Sequence, residues 1–232
     1  MSQSVALPVA KTVEEDGYAV IPNIFAADEM QSLWADIAAT RIPRTRAGIR
    51  HLLGHPTVGA LVNDPRLMEI AKEILGPDAL PFHATLFDKS PDANWLVVWH
   101  QDTALSLTEK RDVPGWGPWS VKDGITYAHA PAHALEQVLA IRIHLDDSNL
   151  DNGPLRVLAG THSRGVLSEK EIEQVSGEIS SVSCTVQRGG LILMRPLLVH
   201  ASSKSTSDAS RRVLHVEYAS GSSFDGLKLA LT

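Results

Sequence analysis

Cysteine is almost missing from this sequence: Cys184 is the only one in 232 residues. No intrachain disulfide can form, and cysteine-rich zinc centres are excluded by the same count. That usage suits a reducing compartment. Basic runs are missing as well. Lys and Arg number 21 against 27 Asp and Glu, for a formal net charge of −6, so nucleic acid is not expected as a partner. No apolar run approaches the roughly 20 residues that span a bilayer. The opening residues, MSQSVALPVAKTVEEDG, lack the charged start and apolar stretch of a secretory signal. The expectation is a soluble cytoplasmic protein with no membrane partner, and nothing in the sequence signals an oligomeric state. Repeats, low-complexity tracts and Pro/Gly/Ser-rich linkers are also absent, so residues 1–232 are expected to form a single domain.

What is there supports an ordinary core, with 44% hydrophobic and 21% charged residues. Residues 1–76 read mainly as helix. Asp28 is placed to cap a segment through Met30, Leu33, Trp34, Ile37 and Ala38, which has helical spacing. Asp64-Pro65 opens a clearer one, with Leu67, Ile70, Ala71 and Ile74 on one face and Gly76 as the stop. From residue 77 to about 220 the texture changes to short β-rich runs: Phe82–Phe87, Trp95–Trp99, Val138–Leu145, Leu155–Leu158, Ser181–Val186, Leu191–Met194 and Val213–Tyr218. Their spacing predicts an antiparallel barrel or sandwich. One helix interrupts it, opened by Ser168 with Glu171 placed for a capping box. Residues from about 105 to 135 are rich in Gly, Pro and Trp without a sustained period, and so read as a lid loop over a site.

Chemistry concentrates in two places. In Trp95-Leu-Val-Val-Trp-His-Gln-Asp102, strand alternation sends His100 and Asp102 to one face and Gln101 to the other. An imidazole and a carboxylate side by side can grip a divalent cation. A third ligand is offered by His200, at the end of the apolar run Met194-Arg-Pro-Leu-Leu-Val-His200. Two His and one carboxylate make the facial triad of non-haem iron, with positions open for O2 and a co-substrate. His-x-Asp alone is a weak signal, since most such pairs are structural. Arg211-Arg212 opens the next strand. A guanidinium there suits a distal carboxylate, while the plainer reading is a solvated charge pair.

Five motifs in order then resemble the phytanoyl-CoA dioxygenase family. They are His100-Gln-Asp102, Leu145-Asp-Asp with Asn152-Gly-Pro-Leu155, Gly160-Thr-His162-Ser-Arg-Gly165, His200-Ala-Ser202, and Arg211-Arg-Val-Leu-His-Val-Glu-Tyr218. Asp16-Gly-Tyr-Ala-Val-Ile-Pro22 is similar to that family's opening strand. The turn reads Ala159-Gly-Thr-His162 where Pro-Gly-Ser-His is usual. The resemblance implies a mainly β fold with flanking helices, a double-stranded β-helix (a jelly-roll, cupin-like barrel). It implies Fe(II), 2-oxoglutarate as co-substrate, O2, and support by ascorbate. It implies hydroxylation of an unactivated C–H of a small metabolite with release of succinate and CO2. His100, Asp102 and His200 match the metal ligands, and Asp102 argues against halogenation, which needs that position empty. Arg211 matches the arginine that pairs with the far carboxylate of 2-oxoglutarate; Gln101, Ser202 and Lys89 match further co-substrate contacts.

Substrate contacts are open to two readings each. Arg142 and His144 alternate with Ile141, Ile143 and Leu145, so they face either the cavity or solvent. Trp116 and Trp119 either close over a ligand or anchor the lid. His51, His55, His83 and His162 are assigned structural or surface roles. No basic cluster awaits the phosphates of a CoA thioester, so a compact amino-acid-like or natural-product substrate is expected. Two other readings stand beside this one. The first is a cupin-type dioxygenase without 2-oxoglutarate, in which Arg211 has no purpose. The second is a metal-containing jelly roll that binds without turnover.

Overall fold

Asp64, Pro65 and Gly76 bound a helix as their chemistry requires. The Asp64 carboxylate accepts the Arg66 N–H, Pro65 sits where no N–H is needed, and Gly76 takes a positive φ of 98°. The computed structural model describes residues 6–40, 42–45, 48–90 and 93–232. Its first part runs α1 (Ala6–Asp16), β1 (Tyr18–Ile21), α2 (Ala27–Ala39), β2 (Gly48–Ile49), α3 (Pro56–Val62) and α4 (Pro65–Leu75). Helix α2 starts one residue ahead of the expected cap Asp28; the Ala26 N–H donates to the Glu29 carboxylate instead. There follow β3 (Leu80–Lys89), β4 (Val97–His100), β5 (Ala104–Leu107), β6 (Trp119–Lys122), β7 (Ile125–His129), α5 (Ala132–Leu135) and β8 (Val138–His144). The last part holds β9 (Leu155–Val157), α6 (Glu169–Glu178), β10 (Val182–Cys184), β11 (Leu191–Met194), β12 (His200–Ser202), β13 (Arg211–Ala219), β14 (Ser223–Phe224) and β15 (Leu227–Lys228). Ser168 and Glu171 form the expected capping box of α6.

Two antiparallel sheets make the jelly roll, one of six strands in the order β1-β11-β8-β13-β3-β2 and one of four, β10-β9-β12-β4. Residue parity sets what each face does. Leu139, Ile141 and Ile143 of β8, Leu214, Val216 and Tyr218 of β13, and Ala84 and Leu86 of β3 pack against Met30, Leu33 and Ile37 of α2 and Leu67 and Ala71 of α4. Burial of each large aliphatic side chain there contributes about 1.5–3 kcal/mol. On the opposite face, Ala140, Ile192 and Met194 meet Leu155, Val157 and Cys184 from the smaller sheet. A one-residue slip would exchange the faces and drive cations into the helical layer, so the register is strongly specified.

The expected lid is not an irregular loop. β5, β7 and β6 form a three-stranded antiparallel sheet. β6 and β7 are joined at Asp123 and Gly124, both at positive φ (50° and 80°), which is the Asp-Gly hairpin signal. Its strands are too short, and Val121 too exposed, for a lasting apolar period to show. Among the described residues no helix is long and apolar enough to cross a membrane.

Candidate metal centre and the cavities around it

β4 and β12 are antiparallel partners in which His100 lies directly opposite His200, so the sheet itself brings two imidazoles to one spot. Each ring is held the same way. His100 Nδ1 donates to the Val98 carbonyl at 2.8 Å, and His200 Nδ1 to the Leu198 carbonyl at 2.9 Å. Both Nε2 atoms therefore carry free lone pairs, the outer-shell arrangement expected of metal-binding histidines. Asp102 lies just past the end of β4, fixed by its N–H bond to the Pro196 carbonyl at 2.9 Å. Its two oxygens stand 3.6 Å from His100 Nε2 and 3.5 Å from His200 Nε2. Among the described residues these three form the one group of such side chains whose ligand atoms all lie within 4.8 Å of one another. Burial pushes His200 down to about 4, so the ring is neutral at pH 7. Burial would raise the Asp102 carboxyl, but His200 and His100 outweigh it and hold it far below the usual range. Asp102 beside it raises His100 against its burial; two imidazoles with one carboxylate fit a divalent iron site.

A cavity of about 130 Å³ opens on one side of the triad. Arg211 and Lys89 face it as cross-strand partners on β13 and β3. Lys89 Nζ donates to Ser202 Oγ at 2.9 Å and to the Ser203 carbonyl at 2.6 Å. Ser202 Oγ donates on to the Gly153 carbonyl at 2.8 Å. Arg211 Nε donates to the Asn152 carbonyl at 3.2 Å, while its Nη1 is buried with no partner. Gly153, at φ 67°, allows this crowding: a Cβ there would meet the Ser203 carbonyl oxygen at 2.3 Å. Arg142 also faces the cavity, so the inward reading of that strand holds for it. Asp102 is the one acid among the described lining residues. Burial and mutual repulsion push Lys89 down to about 8, and Arg211 to about 9. Three cations, one carboxylate and an orphaned guanidinium N–H make a cradle that fits a dicarboxylate reaching towards the metal.

Other expected residues sit elsewhere. Arg212 points away and pairs with Asp146 at 2.6 Å. Gln101 is buried and turned away from the triad, as alternation predicts. Its Nε2 donates to the Gly165 and Leu197 carbonyls at 2.9 and 2.7 Å, and its Oε1 accepts the Leu167 N–H at 2.8 Å. That amide clasps two backbone segments, residues 165–167 and Leu197, and does not line the small cavity. His144 is buried with both ring nitrogens unpartnered and lines neither cavity of the site. Trp116 is buried against Leu105, Leu107 and Phe224 and donates to Asp225 at 2.8 Å; Trp119 packs on the same cluster. Both are anchors, and neither lines these cavities.

A second cavity, of about 330 Å³, reaches the other side of Asp102. Its floor is the inner row of the large sheet, His83, Thr85, His215 and Glu217, and its wall comes from the β5–β7 sheet through Lys122, Tyr127 and His129. His83, assigned above a structural or surface role, borders this cavity with both ring nitrogens held by threonine hydroxyls. His215 and Glu217 were overlooked, although they share the parity of Arg211 along β13. Of the remaining histidines, His51 meets the Tyr127 hydroxyl at 2.9 Å and His162 the Glu14 carbonyl at 3.1 Å. A roomier cleft of about 410 Å³ beside Glu14 and Arg195 holds none of the triad.

Known proteins are similar to this chain in sequence and in fold. The chain is 26% identical over 171 residues to the ectoine dioxygenase of Bordetella bronchiseptica, covering 66% of this chain and 48% of that one. It is 23% identical over 184 residues to the L-proline trans-4-hydroxylase of Streptomyces griseoviridis, covering 68% and 61%. The chain thus spans about half the length of the ectoine dioxygenase it matches. The crystal structure of EctD from S. alaskensis in its apoform superposes with a TM-score of 0.71 at 20% identity, over 94% of this chain and 79% of that one, which shows a common fold. The sequence profile described as Phytanoyl-CoA dioxygenase (PhyH) matches residues 13–213, most of the chain, and the protein belongs to that family.

Proposed function

We propose that the protein is an Fe(II)- and 2-oxoglutarate-dependent dioxygenase that hydroxylates an unactivated C–H bond of a small metabolite. The observation that carries this reading is the buried, unpartnered Nη1 of Arg211 beside Lys89, in a cavity that shares its wall with His100, Asp102 and His200. A buried donor left unpaired costs about 1–3 kcal/mol, more when charged, and an anionic guest removes that cost. The cupin-type alternative gives Arg211 no such task. Family membership and the relatives named for ectoine and L-proline support a compact substrate.

His100, Asp102 and His200 would hold the iron. Bound there, iron with 2-oxoglutarate and O2 supplies the oxidation, giving hydroxylated product, succinate and CO2. The chain's own work is positioning. Nδ1–H bonds to Val98 and Leu198 keep both imidazoles in the ligating tautomer. Arg211 and Lys89 would fix the far carboxylate of the co-substrate, and Ser202 braces Lys89. Arg142 donates to His215 Nδ1 at 3.1 Å, tying the cradle to the second cavity. There the substrate would lie within reach of the metal and away from bulk water. Ascorbate would keep the metal ferrous.

The test is succinate release from 2-oxoglutarate under O2, with Fe(II) and ascorbate, across a panel of amino acids, cyclic amino-acid derivatives and natural-product fragments. The reading expects substrate-stimulated succinate in one-to-one ratio with a product heavier by one oxygen. Iron-loaded protein that turns over none of the panel, and releases no succinate, would overturn it.

A further inference from the structure

The second cavity has a feature that iron and 2-oxoglutarate do not use. Glu217, on the inner face of β13, is buried, yet its carboxylate opens into the cavity. Across the sheet its neighbours are His83 on β3 and Ala140 on β8. Neither answers it. His83 has both ring nitrogens engaged, Nδ1 with Thr232 Oγ1 at 2.6 Å and Nε2 with Thr85 Oγ1 at 3.1 Å. Ala140 has no polar side chain. His215, two residues along, accepts from Arg142 at Nδ1, and the Tyr127 hydroxyl meets His51. Among the described residues no hydrogen bond or ion pair reaches the Glu217 side chain. A carboxylate aimed into a cavity without a donor is unfinished as a structural element. The same cavity carries Arg50 and Lys122, both exposed. Its ionisable groups are therefore ordered, an acid on the floor and exposed cations beside it.

We propose that Glu217 is the specificity-determining residue of the substrate cavity, and that it recognises the protonated nitrogen of a compact zwitterion whose anionic end faces Arg50 and Lys122. This rests on the dioxygenase reading for the identity of the cavity, but it concerns binding alone. A charged N–H donor on the floor satisfies the carboxylate. It also sets the neighbouring carbons of the substrate beside Asp102, a metal ligand that lines both cavities. Burial and the Asp102 charge push the empty Glu217 carboxyl up to about 8, so at neutral pH it holds a proton that it gives up when a cation docks beside it.

Three matched probes test this by calorimetry on the full chain, under argon, with Fe(II) and 2-oxoglutarate present. They are piperidine-4-carboxylate (zwitterion), piperidine (cation) and cyclohexanecarboxylate (the same ring without nitrogen). The wild-type protein is expected to bind the first best and the third worst. Glu217→Gln should weaken the two amines by about tenfold to a hundredfold, the range of one charge-assisted hydrogen bond, and leave cyclohexanecarboxylate unchanged. Glu217→Asp should recover part of the loss, which separates recognition from misfolding. The proposal is overturned if Glu217→Gln binds the amines as well as wild type does. It is overturned equally if protein that takes up 2-oxoglutarate binds neither amine, or prefers cyclohexanecarboxylate. Uptake of 2-oxoglutarate itself is read in the same samples, so failure of the co-substrate reading shows separately.

Discussion

Two cavities meet at Asp102, and their chemistry is opposite. One is small and cationic, with Lys89, Arg142 and Arg211 buried around it. The other is larger and lined by histidines, Tyr127 and the acid Glu217. Both are built on the same inner sheet face, and β13 contributes Arg211 to the first and His215 and Glu217 to the second. On the proposed function, the contrast separates two tasks. A cavity for an invariant co-substrate needs permanent charge at a fixed distance from the metal. A cavity for a variable substrate needs groups that differ from protein to protein around the same metal.

The contrast can be broken at several points. The largest effect belongs to the shared wall. Asp102→Ala or His200→Ala should lower succinate formation at least about a thousandfold, because the metal's contribution of several kcal/mol is lost; metal content measured on the purified variants checks the cause. Next comes the cationic side. Arg211→Ala should raise KM for 2-oxoglutarate about a hundredfold, as for removal of one partner of a buried charge pair, and added iron should not restore it. An unchanged KM would dissolve the distinction between the cavities.

Arg212→Ala and Gln101→Ala should behave otherwise. Each costs about 1–3 kcal/mol of stability by unpairing buried groups, Asp146 in one case and the Gly165 and Leu197 carbonyls in the other. Neither should move KM for 2-oxoglutarate; chemical denaturation and steady-state kinetics together decide. The smallest effect is in pH. Lys89 is lowered to about 8, so it is charged below that pH and neutral above it. Affinity for 2-oxoglutarate should fall several-fold as the pH rises through about 8, and Lys89→Met should flatten that part of the profile.

How much of this was legible follows the same line. The triad and Arg211 stand out because ordered motifs surround them, and parity along one strand gave His100, Asp102 and Gln101 their directions. Parity also holds for β8, where Arg142 faces inward because the aliphatic residues at odd positions are claimed by the helices. The backbone contacts of Gln101 were not legible, because a motif position says where a residue sits and not what its amide reaches. The Asp123-Gly124 hairpin carried a usable signal, hidden by strands of four and five residues. Glu217 and His83 were illegible for a deeper reason. Their meaning depends on what stands across the sheet, and that pairing joins residues more than a hundred positions apart.

On the proposed function, the small cavity holds 2-oxoglutarate against a metal on His100, Asp102 and His200. Calorimetric titration of 2-oxoglutarate into Fe(II)-loaded protein under argon tests it without knowledge of the substrate. One molecule should bind per chain, with binding that weakens sharply when the metal is removed and falls about a hundredfold in Arg211→Ala. Absence of binding to the iron-loaded protein, or binding indifferent to both the metal and Arg211, would contradict it.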